Sequence, residues 1–313
     1  MPVASLLAIL GTSCQNVNEA LDFHSGNRKL TLLASVPQEK EGTRISLEKD
    51  PDRNLLTTHW QERDKVTFIF QQEDNLTEPI EVAVNGIGED EKQAILNIEG
   101  PESINVHFTY TIYAFCSIPG SGVGVAGKEI VLDILPQQAN HLQKITVPMM
   151  ASATISEIII ASKSETKLQF THLGAVEYVE LKNGSDSELR VSNCHLYSTK
   201  EESEEWRYLP NNGKHYLYKP LTDEVEEIAG EQPNPIEENG DLVPIASGES
   251  HTFAVWHRPN SRNIPEFGIS MQTEKEKIFS VNRKVAKDFP MVTGKAYRVR
   301  AEWKDNNLKI SGE

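Results

Sequence analysis

The sequence is poor in cysteine: Cys14, Cys116 and Cys194 are the three in 313 residues, with no CxxC pair and no close Cys/His cluster. That argues against a dense disulfide scaffold and against a structural zinc site. Basic charge is also scarce, 31 Lys and Arg against 46 Asp and Glu, for a formal net charge of −15. Such a surface repels phosphate backbones and anionic headgroups, so nucleic acid is not an expected partner. No interior apolar run approaches the ~18 residues of a membrane helix, and no long segment shows a convincing 3.6-residue period.

Signatures of catalysis are missing as well. The nine histidines form no HxH and no HExxH, and Ser121 between glycines does not make GxSxG. Gly122-Val123-Gly124-Val125-Ala126-Gly127 fits GxGxxG as letters. A dinucleotide site needs a helix after those glycines, whereas Glu129 to Leu135 reads as a strand. The glycine run is therefore expected to be a flexible connection. No enzyme activity, cofactor or metal is expected.

What is present is β pattern. With 38% hydrophobic residues, 25% charged residues and a mean hydropathy of −0.44, the chain has the composition of a globular protein. From Asn105 to Cys116, apolar Val106, Phe108, Tyr110, Ile112 and Ala114 recur with a period of two, and Tyr297, Val299, Ala301 and Trp303 alternate with Arg298, Arg300 and Glu302. Shorter strands are expected at Leu30 to Val36, Val66 to Phe70, Ile80 to Val84, Ala94 to Ile98, Leu168 to His172, Ala175 to Leu181 and Thr252 to Trp256. Turn signals such as Asn85-Gly86, Lys182-Asn183-Gly184 and Ser247-Gly248 punctuate them. Punctuated strands without crossover helices mean sandwiches or barrels. The length suits two domains. The small, polar run Ala151-Ser152-Ala153-Thr154 places the boundary near residue 155, giving domains 15–155 and 156–313. The acidic, proline-bearing stretch from Asp223 to Asp241 reads as a solvated loop.

Residues 1–13 are uncharged and apolar and end in small residues directly before Cys14, after which the sequence turns polar. This segment, 1–14, resembles the leader and lipobox of a bacterial lipoprotein, without a basic start and with Gly11 where a strict lipobox has Leu. It implies lipid on Cys14 and an outer-membrane anchor. Cys116 and Cys194 are expected to be buried free thiols. Trp206, Tyr208, Tyr216 and Tyr218 gather around Asn211-Asn212-Gly213, and Trp206 and Tyr208 are candidate loop-binding residues for a glycan or host protein.

Several motifs in order resemble the fimbrillin-like (Mfa-like and FimA-like) proteins of Bacteroidetes surface fimbriae. They are Lys29-Leu30-Thr31-Leu32-Leu33-Ala34, Thr43-Arg44, Trp60-Gln61-Glu62-Arg63-Asp64, Tyr110 to Ala114, Pro136-Gln137-Gln138, Leu168-Gln169-Phe170-Thr171-His172 and Thr293-Gly294-Lys295-Ala296-Tyr297. The resemblance implies an all-β chain of two tandem transthyretin-like antiparallel β-sandwich domains, exported as a lipoprotein to the cell surface. It also implies cleavage after an arginine, Arg44 here with Arg28 and Arg53 as substitutes, which would remove the first strand. Other fimbrial subunits would then fill the gap by strand complementation. The alternative is a surface lipoprotein that holds glycan or host protein through sandwich loops. After Trp303, only Leu308 and Ile310 alternate as apolar residues. That is little material for a long donor strand and favours a minor, anchor, tip or non-polymerising component.

Overall fold

The computed structural model describes residues 29–36, 48–49, 56–57, 59–62, 64–116, 122–133, 138–139, 147–156, 166–197, 214–222, 224–231, 241–257, 266–281, 283–284 and 293–311. Among them every regular element is a strand. The fold is all-β and built of packed sheets, mostly antiparallel, with two parallel pairings among the described residues.

Two sheets enclose the first core. One is ordered Thr166–Gln169, Lys29–Ser35, Gln93–Glu99, Gly86–Ile87. The other runs Thr171–His172, Met149–Ile155, Tyr110–Cys116, Lys65–Gln72, Asn75–Leu76, with Ile80–Ala83 also on Lys65–Gln72. Period-two alternation puts Leu32, Ala34, Ala94, Leu96 and Ile98 on the inner face of the first sheet. Phe68, Phe70, Tyr110, Ile112 and Ala114 share that core from the second. The strands at 166–172 thus complete the N-terminal sheets although they come late in sequence.

A second pair of sheets repeats the plan. Gln138–Ala139, Ser250–His257, Ala175–Asn183, Ala296–Lys304 and Asn307–Ser311 form one, and Val243–Ile245, Leu189–Tyr197, Glu266–Thr273 and Lys277–Phe279 the other. Val179, Leu181, Val191, Cys194, Phe253, Ile269, Met271 and Leu308 fill the space between them. Glu177 is fully buried in this core, and its carboxylate accepts the Leu196 N–H at 2.5 Å, satisfying a buried backbone donor across the sandwich. Outside it, Glu180 accepts from Arg298 Nε at 2.9 Å. Cys116 and Cys194 are both buried and free, and burial pushes both thiols up.

A further sheet, Gly122–Ala126, Glu129–Asp133, Lys214–Lys219, Glu224–Glu231, combines strands from both halves of the sequence. Ile130, Leu132 and Tyr218 from it share a core with Ile69 and Phe115 on one side and Val176, Tyr178, Ala254 and Trp256 on the other.

Four expectations change here. The glycine run is a strand of a hairpin, with positive φ only at Gly122 and Gly127. Residues 105–109 form a turn, because Asn105 and Gln72 pair through Asn105 N–H to Gln72 Oε1 and Gln72 Nε2 to Asn105 O, both 2.9 Å. Asn105 Oδ1 also takes the His107 N–H, the local side-chain bond that competes with strand pairing. Ala151–Thr154 lies within a strand whose Ala151 and Ile155 are buried. Part of the acidic stretch, Glu224–Glu231, is a strand paired with Lys214–Lys219.

Candidate strand-acceptor groove

Two of the motifs, Trp60 and Leu168-Gln169-Phe170, lie beside the Lys29–Ser35 strand, while Thr43-Arg44 and Pro136-Gln137 fall outside the described residues. This strand is flanked on both sides. It runs antiparallel to Gln93–Glu99 along its whole length, from Lys29 opposite Glu99 to Ser35 opposite Gln93. It runs parallel to Thr166–Gln169, with Ala34 opposite Leu168. Its inward residues Leu32 and Ala34, and Val36 just beyond, are fully buried. Its outward residues are tied by Thr31 Oγ1 to Asn97 Oδ1 at 3.0 Å and Ser35 Oγ to Gln169 Oε1 at 2.8 Å.

Consequently the Lys29–Ser35 strand is the roof of a groove. Without it, Gln93–Glu99 and Thr166–Gln169 would each present a row of unpaired amides and carbonyls along an apolar floor. Burying one leucine side chain is worth about 1.5–3 kcal/mol, so the exposed floor would be strongly unfavourable in water.

One end of the groove is closed. The Val36 N–H donates to Lys92 O at 3.1 Å, the Phe170 N–H to Ser35 O at 2.9 Å and the Trp60 N–H to Glu91 O at 2.8 Å. Trp60 and Phe170 meet edge to face, ring centroids 5.5 Å apart, and Trp60 is 1% exposed. The spacing of Trp60 and Asp64 now has a cause: Asp64 Oδ2 takes the Gln61 N–H at 2.5 Å while the Asp64 N–H donates to Gln61 O, closing the turn that leads into the Lys65–Gln72 strand.

His172 and Gly294 meet at the neighbouring seam. His172 lies opposite Met149, and Gly294 N–H donates to Gly174 O at 2.9 Å. His172 is buried with no hydrogen bond to either ring nitrogen, and burial lowers its pKa from 6.5 to about 3. Gly294 has φ +78°, and a Cβ there would stand 3.6 Å from His172 Cδ2, an ordinary contact. Conformation, not space, demands glycine. Gly294→Ala is expected to cost about 1–2 kcal/mol, read as a lower urea midpoint with unchanged slope.

Cys14, Arg44, Trp206 and Tyr208, and the substitutes Arg28 and Arg53, lie outside the described residues. Tyr218 is 4% exposed and part of a core, so it is not a loop platform for a sugar. Among the described residues no group of three His, Cys, Asp or Glu could hold a metal ion, and no helix is long and apolar enough to cross a membrane. The double pairing of Lys29–Ser35 escaped sequence reading. No local signal marks it, because Leu32 and its parallel partner Thr166 are far apart in sequence.

No family model matches the chain, and no curated protein matches it. Solved structures do. A candidate cell adhesion protein of Bacteroides uniformis is 11% identical with a TM-score of 0.46, covering 91% of this chain and 96% of that one. A candidate cell adhesion protein of Bacteroides fragilis is 10% identical with a TM-score of 0.45, covering 90% and 97%. The fimbrial anchor protein Mfa2 of Porphyromonas gingivalis is 9% identical with a TM-score of 0.35, covering 90% and 95%. The solved structures that this chain is similar to are thus two Bacteroides candidate cell adhesion proteins and a Porphyromonas fimbrial anchor protein.

Proposed function

We propose that the chain is a structural or adhesive component of cell-surface fimbriae, brought to the outer membrane by lipid on Cys14 and, once cleavage after Arg44 frees it from that lipid, joined to other subunits by strand addition. The observation that carries this reading is the double-sided seat of Lys29–Ser35, paired with Gln93–Glu99 on one flank and Thr166–Gln169 on the other over a buried apolar core. Cleavage after Arg44 cuts the chain on the C-terminal side of that strand and frees it to leave. A partner's strand restores the backbone bonds and covers the floor.

The C-terminal strand favours an accepting over a donating role. Asn307–Ser311 is paired with Ala296–Lys304, and its Leu308 and Ile310 are buried in their own core. Donation would have to expose both. An anchor, tip or other minor subunit fits this better than a shaft subunit.

Treatment of the full chain with an Arg-specific protease is expected to trim it at Arg44 and to shift its mass distribution to oligomers, while a chain with Arg28, Arg44 and Arg53 all replaced by lysine keeps its N-terminal segment and stays unshifted. Trimming of the parent with no change in mass distribution would refute assembly by this route.

A further inference from the structure

The groove is uneven along its length. On the open side, Leu30 lies opposite Ile98 and Leu32 opposite Leu96, so the inward positions accept large aliphatic side chains. Two residues further, Ala34 stands opposite Ala94 on one flank and Leu168 on the other. Both alanines are buried, at 0% and 1% exposure, and the space above them is filled by the shared core. Directly opposed residues of an antiparallel pair have Cβ atoms only about 4.5–5.5 Å apart. A larger side chain at the Ala34 position therefore meets filled volume and must overpack. Beyond it the groove stops at the bonded cluster of Lys92, Glu91, Trp60 and Phe170.

We infer that this groove selects its occupant by side-chain size and register: it takes a strand from another chain that reads large, any, large, any, small, any, aliphatic, with the small residue two positions before the Trp60–Phe170 stop. The inference rests on the strand-addition reading above and adds to it the identity of the partner's strand. The stop fixes where the strand ends. The paired alanines make a slip of two residues costly, because a slip brings a large side chain over Ala94, and a slip of one turns every apolar side chain to solvent. Polarity follows too: the occupant runs antiparallel to Gln93–Glu99 and parallel to Thr166–Gln169. The outward positions add little selection: Thr31 and Ser35 bond Asn97 and Gln169, while Leu33 lies opposite Ile95.

The test uses the full chain cut after residue 44, so that the native strand stays seated without a covalent link. It is offered labelled peptides in mild urea. One carries the sequence of residues 28–37, a second carries Ala34→Gly, a third Ala34→Leu, and a fourth exchanges the residues at positions 32 and 34, which leaves composition and hydrophobicity unchanged. The first two are expected to displace the native strand, with occupancy of the Ala34→Leu and exchanged peptides lower by about tenfold or more. Occupancy of the exchanged peptide within about twofold of the parent would overturn the size and register rule while leaving strand addition intact. Failure of the parent peptide to enter at any urea concentration below unfolding would instead overturn the strand-addition reading, and the rule with it.

Discussion

Replacing Trp60 with alanine is expected to cost about 3–5 kcal/mol, the range for removing a buried indole. It should also speed loss of the Lys29–Ser35 strand from a chain cut at Arg44. Both effects come from position. Trp60 is among the largest fully buried side chains, its ring packs edge-on against Phe170, and its backbone bonds Glu91 one residue before the Lys92 carbonyl that holds Val36. The void left by alanine opens onto the closed end of the groove, so the core and the register stop fail together. Trp60→Phe keeps an aromatic contact and most of the volume, and is expected to recover more than half of the loss. Urea unfolding reads the first effect, and release of the N-terminal fragment after cleavage reads the second. A Trp60→Ala chain that unfolds at the parent midpoint would show that the indole does not carry this end of the sandwich.

Acid is expected to weaken the fold through His172. Burial with no partner for either nitrogen favours the neutral ring, so the folded pKa of about 3 lies below the ordinary 6.5. Between those values the unfolded chain binds a proton that the folded chain refuses. The contribution is therefore complete above pH 6.5 and is lost as pH falls toward 3, by about 1.4 kcal/mol for each pH unit inside the window. His172→Phe keeps a ring beside Gly294 and cannot titrate. Denaturation midpoints measured from pH 4 to pH 7 should fall less steeply in this variant than in the parent, by close to one proton's worth of slope. Equal slopes would mean that His172 gains a partner or water in solution.

The sequence made the strands legible wherever one face of a sheet is covered. Leu30 to Val36 and Ala94 to Ile98 alternate because one side of each meets a core, Val66 to Phe70 and Ala175 to Leu181 carry apolar residues on both faces because each face meets a core, and all four are strands. It misled where alternation ran past a pairing partner. Val106 and Phe108 continue the pattern of Tyr110 to Ala114, yet Asn105 and Gln72 turn the chain there and leave Phe108 59% exposed. Small residues misled in the other direction. Ala151 to Thr154 looks like a linker, but small side chains fit a strand wedged between Tyr110–Cys116 and Thr171–His172.

The groove was the least legible element, because it depends on pairing between residues more than 130 positions apart, which no local period encodes. The motifs that carried the family resemblance fared better. Trp60, Phe170, His172 and Gly294 converge on the closed end of the groove and the seam beside it, so their spacing records packing and turn chemistry rather than a binding surface. Cys14 and Arg44, on which anchorage and release depend in the proposed function, rest on sequence pattern alone.

The central claim is that Lys29–Ser35 occupies a seat that another chain's strand can take. Native mass measurement of the Arg-trimmed protein tests it most directly. The account predicts that each subunit gained by an assembly is matched by loss of one N-terminal fragment ending at Arg44. Assemblies that grow while every subunit retains its fragment would contradict it.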